Sequence, residues 1–370
     1  MPMTDLILLV GSNPLPNYVV ALHFKPDNIH LFYTSATKLV KNNLVDALVA
    51  HGGFAPQALH SHFLSDHAVA RKLHSDFQVA GIPPGAHLNY TGGTKAMAVH
   101  LHAAWAQECG TAGGASYLDG DQPRLILDDG SIAELDEPAL TLPAITELHG
   151  VDRVRSGYGP HSGVPADDDA RAMAAAVARD RGLQCVLLKR VPECKKKPLD
   201  FSFAACGLPK DVRLSRTRVT TADGRALADV WSGFLRGEWL DHWVALLLRE
   251  SGAFHEVVFN VEGFREGRQM QIDAIGLQGH RLFLVSCTTS SEPARCKTKA
   301  FEASIRAAQF GGGLARSAEV CLLDADPLAN VRKDLALFWE NRSETNIFGI
   351  PEMAAWIAGD LSPLKEWAKK

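Results

Sequence analysis

The stretch His87-Leu88-Asn89-Tyr90-Thr91-Gly92-Gly93-Thr94-Lys95-Ala96-Met97 holds the most readable chemistry in this chain. An apolar strand runs into a Thr-Gly-Gly-Thr-Lys turn, and a helix begins directly after it. Gly92 and Gly93 let the backbone approach a ligand closely and take up dihedrals closed to other residues. The turn aims the amide N–H groups of a helix N-terminus at whatever lies there, and Lys95 adds a positive charge. That is a cradle for phosphate. It is not a Walker A loop, because the Gly-x-x-x-x-Gly-Lys spacing is absent.

Other chemical signals are weaker. His87, His100 and His102 flank the turn without metal-ligand spacing. Seven cysteines are scattered, an odd number without paired metal-type spacing, which reads as reduced thiols in a cytoplasmic protein. No Cys/His or Ser/His/Asp set shows a local signature of nucleophilic catalysis. Lys195-Lys196-Lys197 reads as a solvated basic loop.

The elements that position the turn follow from the hydrophobic pattern. Over the first 120 or so residues, strands alternate with helices, as in a parallel sheet covered on both faces. Asp5–Val10 is an apolar strand, followed by Gly11-Ser12-Asn13-Pro14-Leu15-Pro16, expected to be a loop because of its prolines. Ile29–Tyr33 is a strand ending in Thr34-Ser35-Ala36-Thr37, and Leu39–Ala50 a helix. Ala58–Leu64 is a strand, with Ser65-Asp66 as the expected N-cap of the next helix. His87–Tyr90 and Ala115–Leu118 are strands on either side of a Thr94–Gln107 helix. Leu125–Leu127 and Ile132–Leu135 flank a hairpin turn at Asp128-Asp129-Gly130. Ligands collect outside the carboxyl ends of strands in such a sheet, so Gly11–Asn13, Thr34–Thr37 and Thr91–Lys95 are expected to converge.

The chain has 370 residues, which points to two domains. Its 46% hydrophobic and 22% charged content is that of a globular protein with real cores. A net charge of -4 argues against a protein coated in nucleic acid, while a local basic groove stays open. Residues 4–10 lack the basic leader and cleavage site of a signal peptide, and no apolar run is long enough to span a membrane. Pro160–Asp169 marks a boundary, and Asp167–Arg181 is an Ala-rich helix. The last 140 or so residues change rhythm. A helix over Leu235–Glu250 precedes strands at His255–Val261, Gln269–Leu277 and Arg281–Cys287, a helix over Ala300–Phe310, and a strand at Ala318–Leu323. Helix, three strands, helix, strand is the core order of restriction-endonuclease-like nucleases.

With both halves in view, the chain resembles the type III CRISPR accessory nucleases of the Card1/Can2 family. These join a CARF sensor domain to a PD-(D/E)xK-like nuclease domain. The resemblance covers nearly the whole chain. It rests on Asn89–Lys95, the opening strand with Gly11–Pro16, the strand end Tyr33-Thr34, and Leu148-His149-Gly150. Gly237-Glu238-Trp239-Leu240-Asp241, Gln271-Ile272-Asp273 and the strand Leu282–Cys287 extend it. It implies an α/β fold: a Rossmann-like CARF domain over 1–150, a linking segment over 151–225, and a restriction-endonuclease-like α/β domain over 226–370. It further implies a cytoplasmic homodimer binding a cyclic oligoadenylate, cyclic tetra-adenylate in particular, across its two-fold axis. Gly11, Ser12, Asn13, Thr34, Ser35, Asn89, Thr91, Gly92, Gly93, Thr94 and Lys95 would hold that ligand. The nuclease domain would cut DNA or RNA with Mg²⁺ or Mn²⁺.

By the same resemblance, Asp241 and Asp273 would hold the metal. Gln271 stands where the family often has Glu, on the same strand face as Asp273. The third strand departs from the pattern. Ser286 occupies the carboxylate position and Thr288 the lysine position of the family's Glu-x-Lys. Lys297 or Lys299, near the start of the next helix, would replace the missing ammonium. The departure also admits a CARF sensor without nuclease activity, whose second domain binds a partner or nucleic acid. A ring nuclease that cleaves the cyclic ligand in the CARF domain is a further alternative. A nicotinamide-dependent enzyme is disfavoured, because the first loop lacks Gly-x-Gly-x-x-Gly.

Overall fold

The computed structural model describes residues 3–111, 113–119, 122–135, 140–159, 163–193, 199–201, 212–214, 219–221, 229–338 and 345–369. The basic run at Lys195-Lys196-Lys197 lies outside them.

The first body is built from β1 (Asp5–Leu9), α1 (Leu15–Phe24), β2 (Asn28–Tyr33), α2 (Lys38–Ala50), β3 (Leu59–Phe63), α3 (Ala70–Ala80), β4 (His87–Asn89), α4 (Lys95–Glu108), β5 (Ala115–Leu118), β6 (Arg124–Leu127), β7 (Ile132–Glu134) and α5 (Leu142–Leu148). Its sheet has the order β3-β2-β1-β4-β5-β6-β7. The first five strands are parallel, and β6 and β7 turn back antiparallel as the expected hairpin. β1 pairs with β2 on one side and β4 on the other, so the strand order reverses at β1. That switch point is where an open α/β sheet leaves a crevice.

The opening loop is shorter than its prolines suggest. Pro14 is the N-cap residue of α1, and Pro16 sits in the first helical turn. First-turn amides have no intrahelical acceptor, so proline costs nothing there. The helix after β3 starts later than expected, at Ala70. Asp66 accepts the Ala68 and Val69 amides, at 2.9 and 3.1 Å, and closes a turn before that helix.

The second body begins with β8 (Val151–Arg155), followed by α6 (Asp167–Arg179), α7 (Gly182–Glu193), and the small antiparallel strands β9 (Leu199–Phe201), β10 (Val212–Leu214) and β11 (Val219–Thr221). Then come α8 (Val230–Gly233), α9 (Trp239–Ser251), β12 (Glu256–Arg265), β13 (Arg268–Gln278), β14 (Arg281–Thr288), α10 (Pro293–Gly311), β15 (Arg316–Cys321), α11 (Ala325–Phe338), β16 (Asn346–Phe348), α12 (Ile350–Ile357) and α13 (Ser362–Lys369). The sheet order is β16-β15-β14-β13-β12-β8. β12, β13 and β14 form an antiparallel meander, while β14, β15 and β16 run parallel. This is a mixed α/β nuclease-type sheet beside a Rossmann-like one, as the sequence pattern anticipates.

Val151–Arg155, at the start of the expected linking segment, is an edge strand of the second sheet. Trp239, Trp243 and Leu247 of α9 bury one face of this sheet, together with Phe283 and Val285 of β14. On the other face, Leu284 clusters with Ala303, Ala307 and Phe310 of α10. That cluster continues into Leu6, Leu8 and Val19 of the first body, so the two bodies share an apolar core.

Candidate functional site

Two sites stand out, one in each body. In the first, the ends of β1, β2, β3 and β4 surround a cavity of about 320 Å³, a size suited to small ligands. Gly11 and Ser12 line it from the first loop, Thr34 and Ser35 from the second, and Gly93 and Thr94 from the third. A fourth contribution, Leu64 to His67 after β3, is absent from the sequence reading. Its signal was available, since this loop also leaves the carboxyl end of a parallel strand.

The glycines are set by close packing. A Cβ on Gly92 would stand 1.9 Å from the Leu9 carbonyl oxygen, and one on Gly11 2.9 Å from the Gly93 nitrogen. Gly93 has φ +77, a left-handed conformation that favours glycine. The loops after β1 and β4 therefore touch backbone to backbone. Thr94 is the N-cap of α4: its hydroxyl accepts the Met97 amide at 3.1 Å and donates to the His67 carbonyl at 3.0 Å. The amides of Lys95 and Ala96 have no intrahelical acceptor. Lys95 itself is exposed at the first helical position.

Several expected ligand residues also make protein contacts. Asn89 is fully buried, donates to the Ser116 hydroxyl at 3.1 Å, and accepts the Thr91 amide at 3.2 Å. The Thr91 hydroxyl accepts the Leu118 amide at 2.6 Å. Asn13 accepts the Leu15 amide at 3.0 Å. Ser12, Thr34, Ser35 and Thr37 bring hydroxyls to the cavity. The acidic residue of the lining, Asp66, is held below the usual carboxylate range by the Ala68 and Val69 amides and by Lys72.

In the second body, a wide π-turn over Phe234–Glu238 kinks at Gly237, φ 152, and leads into α9. Asp241 lies in the first turn of α9 and is 6% exposed. Asp273 sits on β13 where that strand parts from β14. The last regular pair is Ala274 with Val285, and beyond it the Asp273 carboxylate accepts the Cys287 amide at 2.8 Å. Burial raises the Asp241 carboxyl well above its usual range, and the charges of Asp273 and Glu238 raise it further. Burial also raises Asp273, against the Cys287 amide, Lys299 and the Ser286 hydroxyl. Glu238 is raised by burial and by Glu262.

Sequence reasoning missed one acid. Glu319 of β15 is 0% exposed, and neither carboxylate oxygen has a hydrogen-bond partner among the described residues. Burial raises its carboxyl well above the usual range, and the nearby Asp273 adds to this. The Ser286 hydroxyl and Lys299 oppose the rise. A lone acid inside the apolar run Ala318–Leu323 is the sequence signal that could have found it.

The two candidate lysines differ. Lys297 pairs with Asp334 at 2.9 Å. Lys299 pairs with Glu302 at 2.9 Å, and its charge also favours the anions of Asp273 and Glu319. Both lie inside α10, which starts at Pro293 rather than near Ala300. Gln271 is exposed and donates to the Asn260 side chain at 2.9 Å. Arg306 bonds the Gln271 carbonyl. Among the described residues, no three His, Cys, Asp or Glu side chains stand at metal-ligating spacing. The fit to a divalent cation therefore rests on charge. Asp273 raises both Asp241 and Glu319 by its charge, and a dication would relieve that repulsion and favour the ionised carboxylates.

The fold defines a two-part α/β architecture, a Rossmann-like part joined to a mixed-sheet part with the strand order of restriction-endonuclease-like folds. Solved structures share it along the whole chain. Protein VC1899 from Vibrio cholerae matches with a TM-score of 0.70 at 14% identity, covering 99% of both chains. Can2 from Sulfobacillus thermosulfidooxidans, in complex with cyclic tetra-adenylate, matches with a TM-score of 0.69 at 17% identity, again over 99% of both chains. A type III CRISPR defence DNA nuclease activated by cyclic oligoadenylate matches with a TM-score of 0.53 at 21% identity, covering 88% of this chain and 47% of that one. No protein-family model and no curated protein matches the sequence.

Proposed function

We propose that this chain is a type III CRISPR effector, a nuclease gated by a cyclic oligoadenylate, cyclic tetra-adenylate in particular. The observation that carries the reading is the cavity at the β1 switch point, walled by glycine backbone, hydroxyls and the N-terminus of α4. Its fold is shared along the full chain with Can2, which was solved with that ligand. Such a lining suits phosphodiesters of single charge. In this reading residues 1–150 sense, 226–370 cleave, and 151–225 link them. Each protomer of a homodimer offers one cavity to half of a two-fold cyclic ligand. Among the described residues, no helix is long and apolar enough to cross a membrane, and the reading places the protein in the cytoplasm.

Asp241 and Asp273 would hold Mg²⁺ or Mn²⁺, which when bound polarises the scissile phosphate and generates a water nucleophile. Lys299, whose charge favours the Asp273 anion, would offset the charge that builds on the phosphate. Ligand activates only by binding the cleaving arrangement more tightly than the idle one.

The test is cleavage of supercoiled plasmid and single-stranded RNA in Mg²⁺ or Mn²⁺, with and without cyclic tetra-adenylate, with ligand binding measured in parallel. Ligand-dependent cutting is expected. Asp273→Ala abolishes it and leaves binding intact, while Lys95→Ala weakens binding about tenfold. Tight binding without cutting supports the second reading, a nuclease-silent sensor, which Ser286 and Thr288 favour. Turnover of the cyclic ligand itself would mark a ring nuclease.

A further inference from the structure

The Ser286–Thr288 segment lacks both groups of a Glu-x-Lys pair, and the sheet register brings a carboxylate to the same place from the next strand. Ser286 of β14 pairs with Glu319 of β15 in parallel register. Paired residues of parallel strands project to the same face, so the Glu319 side chain leaves the sheet beside the Ser286 hydroxyl. On the other side of Ser286, the pairing of Ala274 with Val285 puts Asp273 next in line. Asp273, Ser286 and Glu319 thus form a row across three adjacent strands. Leu284, two residues before Ser286 on that face, clusters with Ala303 and Ala307 of α10, the helix that carries Lys299.

Three observations converge on this row. Glu319 is wholly buried, its carboxylate oxygens make no well-formed hydrogen bond among the described residues, and only the adjacent Ser286 hydroxyl and the Lys299 charge offset its burial. A buried carboxylate is tolerated only when something compensates its charge. The short Ser286 side chain leaves the space between the two acids free of the bulk a glutamate would add there. Lys299 acts on Asp273 and Glu319 alike, although its own hydrogen bond is to Glu302. Mg²⁺ asks little more of a protein, because it keeps several waters and binds through one or two carboxylates plus substrate phosphate.

We propose that Glu319 is the cation-binding carboxylate that Ser286 cannot supply, moved one strand over, with Asp273 as its fellow ligand and Lys299 as the matching ammonium. The proposal rests on the metal-dependent nuclease reading. It adds a residue to it and assigns Ser286 the role of leaving room.

Mn²⁺ binding to the full-length chain, followed by electron paramagnetic resonance without nucleic acid, tests it. Wild-type protein is expected to bind Mn²⁺, and Glu319→Gln to bind it about tenfold or more weakly. Returning the acid to β14 in the double variant Ser286→Glu, Glu319→Gln is expected to restore binding. In chelator, burial favours the protonated Glu319 carboxyl, so Glu319→Gln should melt close to wild type; a clearly lower melting temperature would mark a purely structural acid and overturn the metal role. Equal Mn²⁺ affinity in Glu319→Gln and wild type, with binding lost in Asp273→Asn, overturns the role of Glu319 and leaves the nuclease reading standing. No Mn²⁺ binding by wild type overturns both.

Discussion

Gly92 and Glu319 make opposite demands of their surroundings. Gly92 leaves no room, since any side chain would meet the Leu9 carbonyl 1.9 Å away and the Asn17 side chain at 3.1 Å. Asn17 itself is fully buried and donates to the same Leu9 carbonyl at 2.9 Å, so neither neighbour can step aside cheaply. Gly92→Ala is therefore expected to cost about 3 kcal/mol of stability and to lose cyclic tetra-adenylate binding, read by chemical denaturation and calorimetry. Gly53, by contrast, would place its Cβ in open space. At Gly53 alanine meets only the cost of its left-handed backbone, φ +76. A smaller loss there with full ligand binding separates close approach from conformational strain. Glu319 offers an empty bonding capacity instead, and its meaning comes from the partner strand.

At the scale of elements, strand ends and loops were legible, because parallel strands read as short apolar runs and their exits as small polar residues. The β1, β2 and β4 exits do converge on one cavity. What stayed hidden depends on pairing or on context. Register placed Glu319 beside Ser286, and register is a property of two segments that neither sequence reveals alone. α1 was hidden because Pro14 and Pro16 look like breakers, although both fall where a helix tolerates proline. Thr91 and Asn89 also bond β5 and hold the turn in shape, a role that only strand pairing shows.

Packing between elements also makes a pH prediction. His87, His149 and His280 are buried, and burial pushes each down to about 4 from the usual 6.5. The unfolded chain takes up these protons below about pH 6.5 and the folded protein does not. Stability should therefore fall as pH drops from about 6.5 towards about 4, and level off below, by up to about 3 kcal/mol per histidine. His280 is the sharpest case. Neither ring nitrogen has a hydrogen-bond partner among the described residues, and it lines a small cavity with Leu15, Val19 and Asp119. His280→Leu is expected to raise the melting temperature at pH 5 more than at pH 7.5. An equal change at both pH values would show that this ring does not titrate in the window.

At the scale of the whole molecule, one helix links the two sites. α10 has 19 residues, about 28 Å at 1.5 Å per residue. Lys299 lies towards its start, and Gly311 and Gly312 close its end against the first body. There the Phe310 carbonyl accepts His149 Nε2 at 2.8 Å. Gly312, at φ +63, comes so close to Asn13 that an added Cβ would stand 2.7 Å from Asn13 Nδ2. Asn13 follows Ser12, whose loop walls the ligand cavity. A ligand that reshapes the first loop thus bears on the end of the helix that presents Lys299 to Asp273 and Glu319. Coupling of this kind is worth 5- to 150-fold in typical cases, roughly. Gly312→Ala is expected to leave cyclic tetra-adenylate affinity within about threefold, yet to cut ligand-stimulated cleavage by about tenfold. Calorimetry measures the first and a plasmid-cleavage time course the second. Undiminished stimulation would remove α10 from the route.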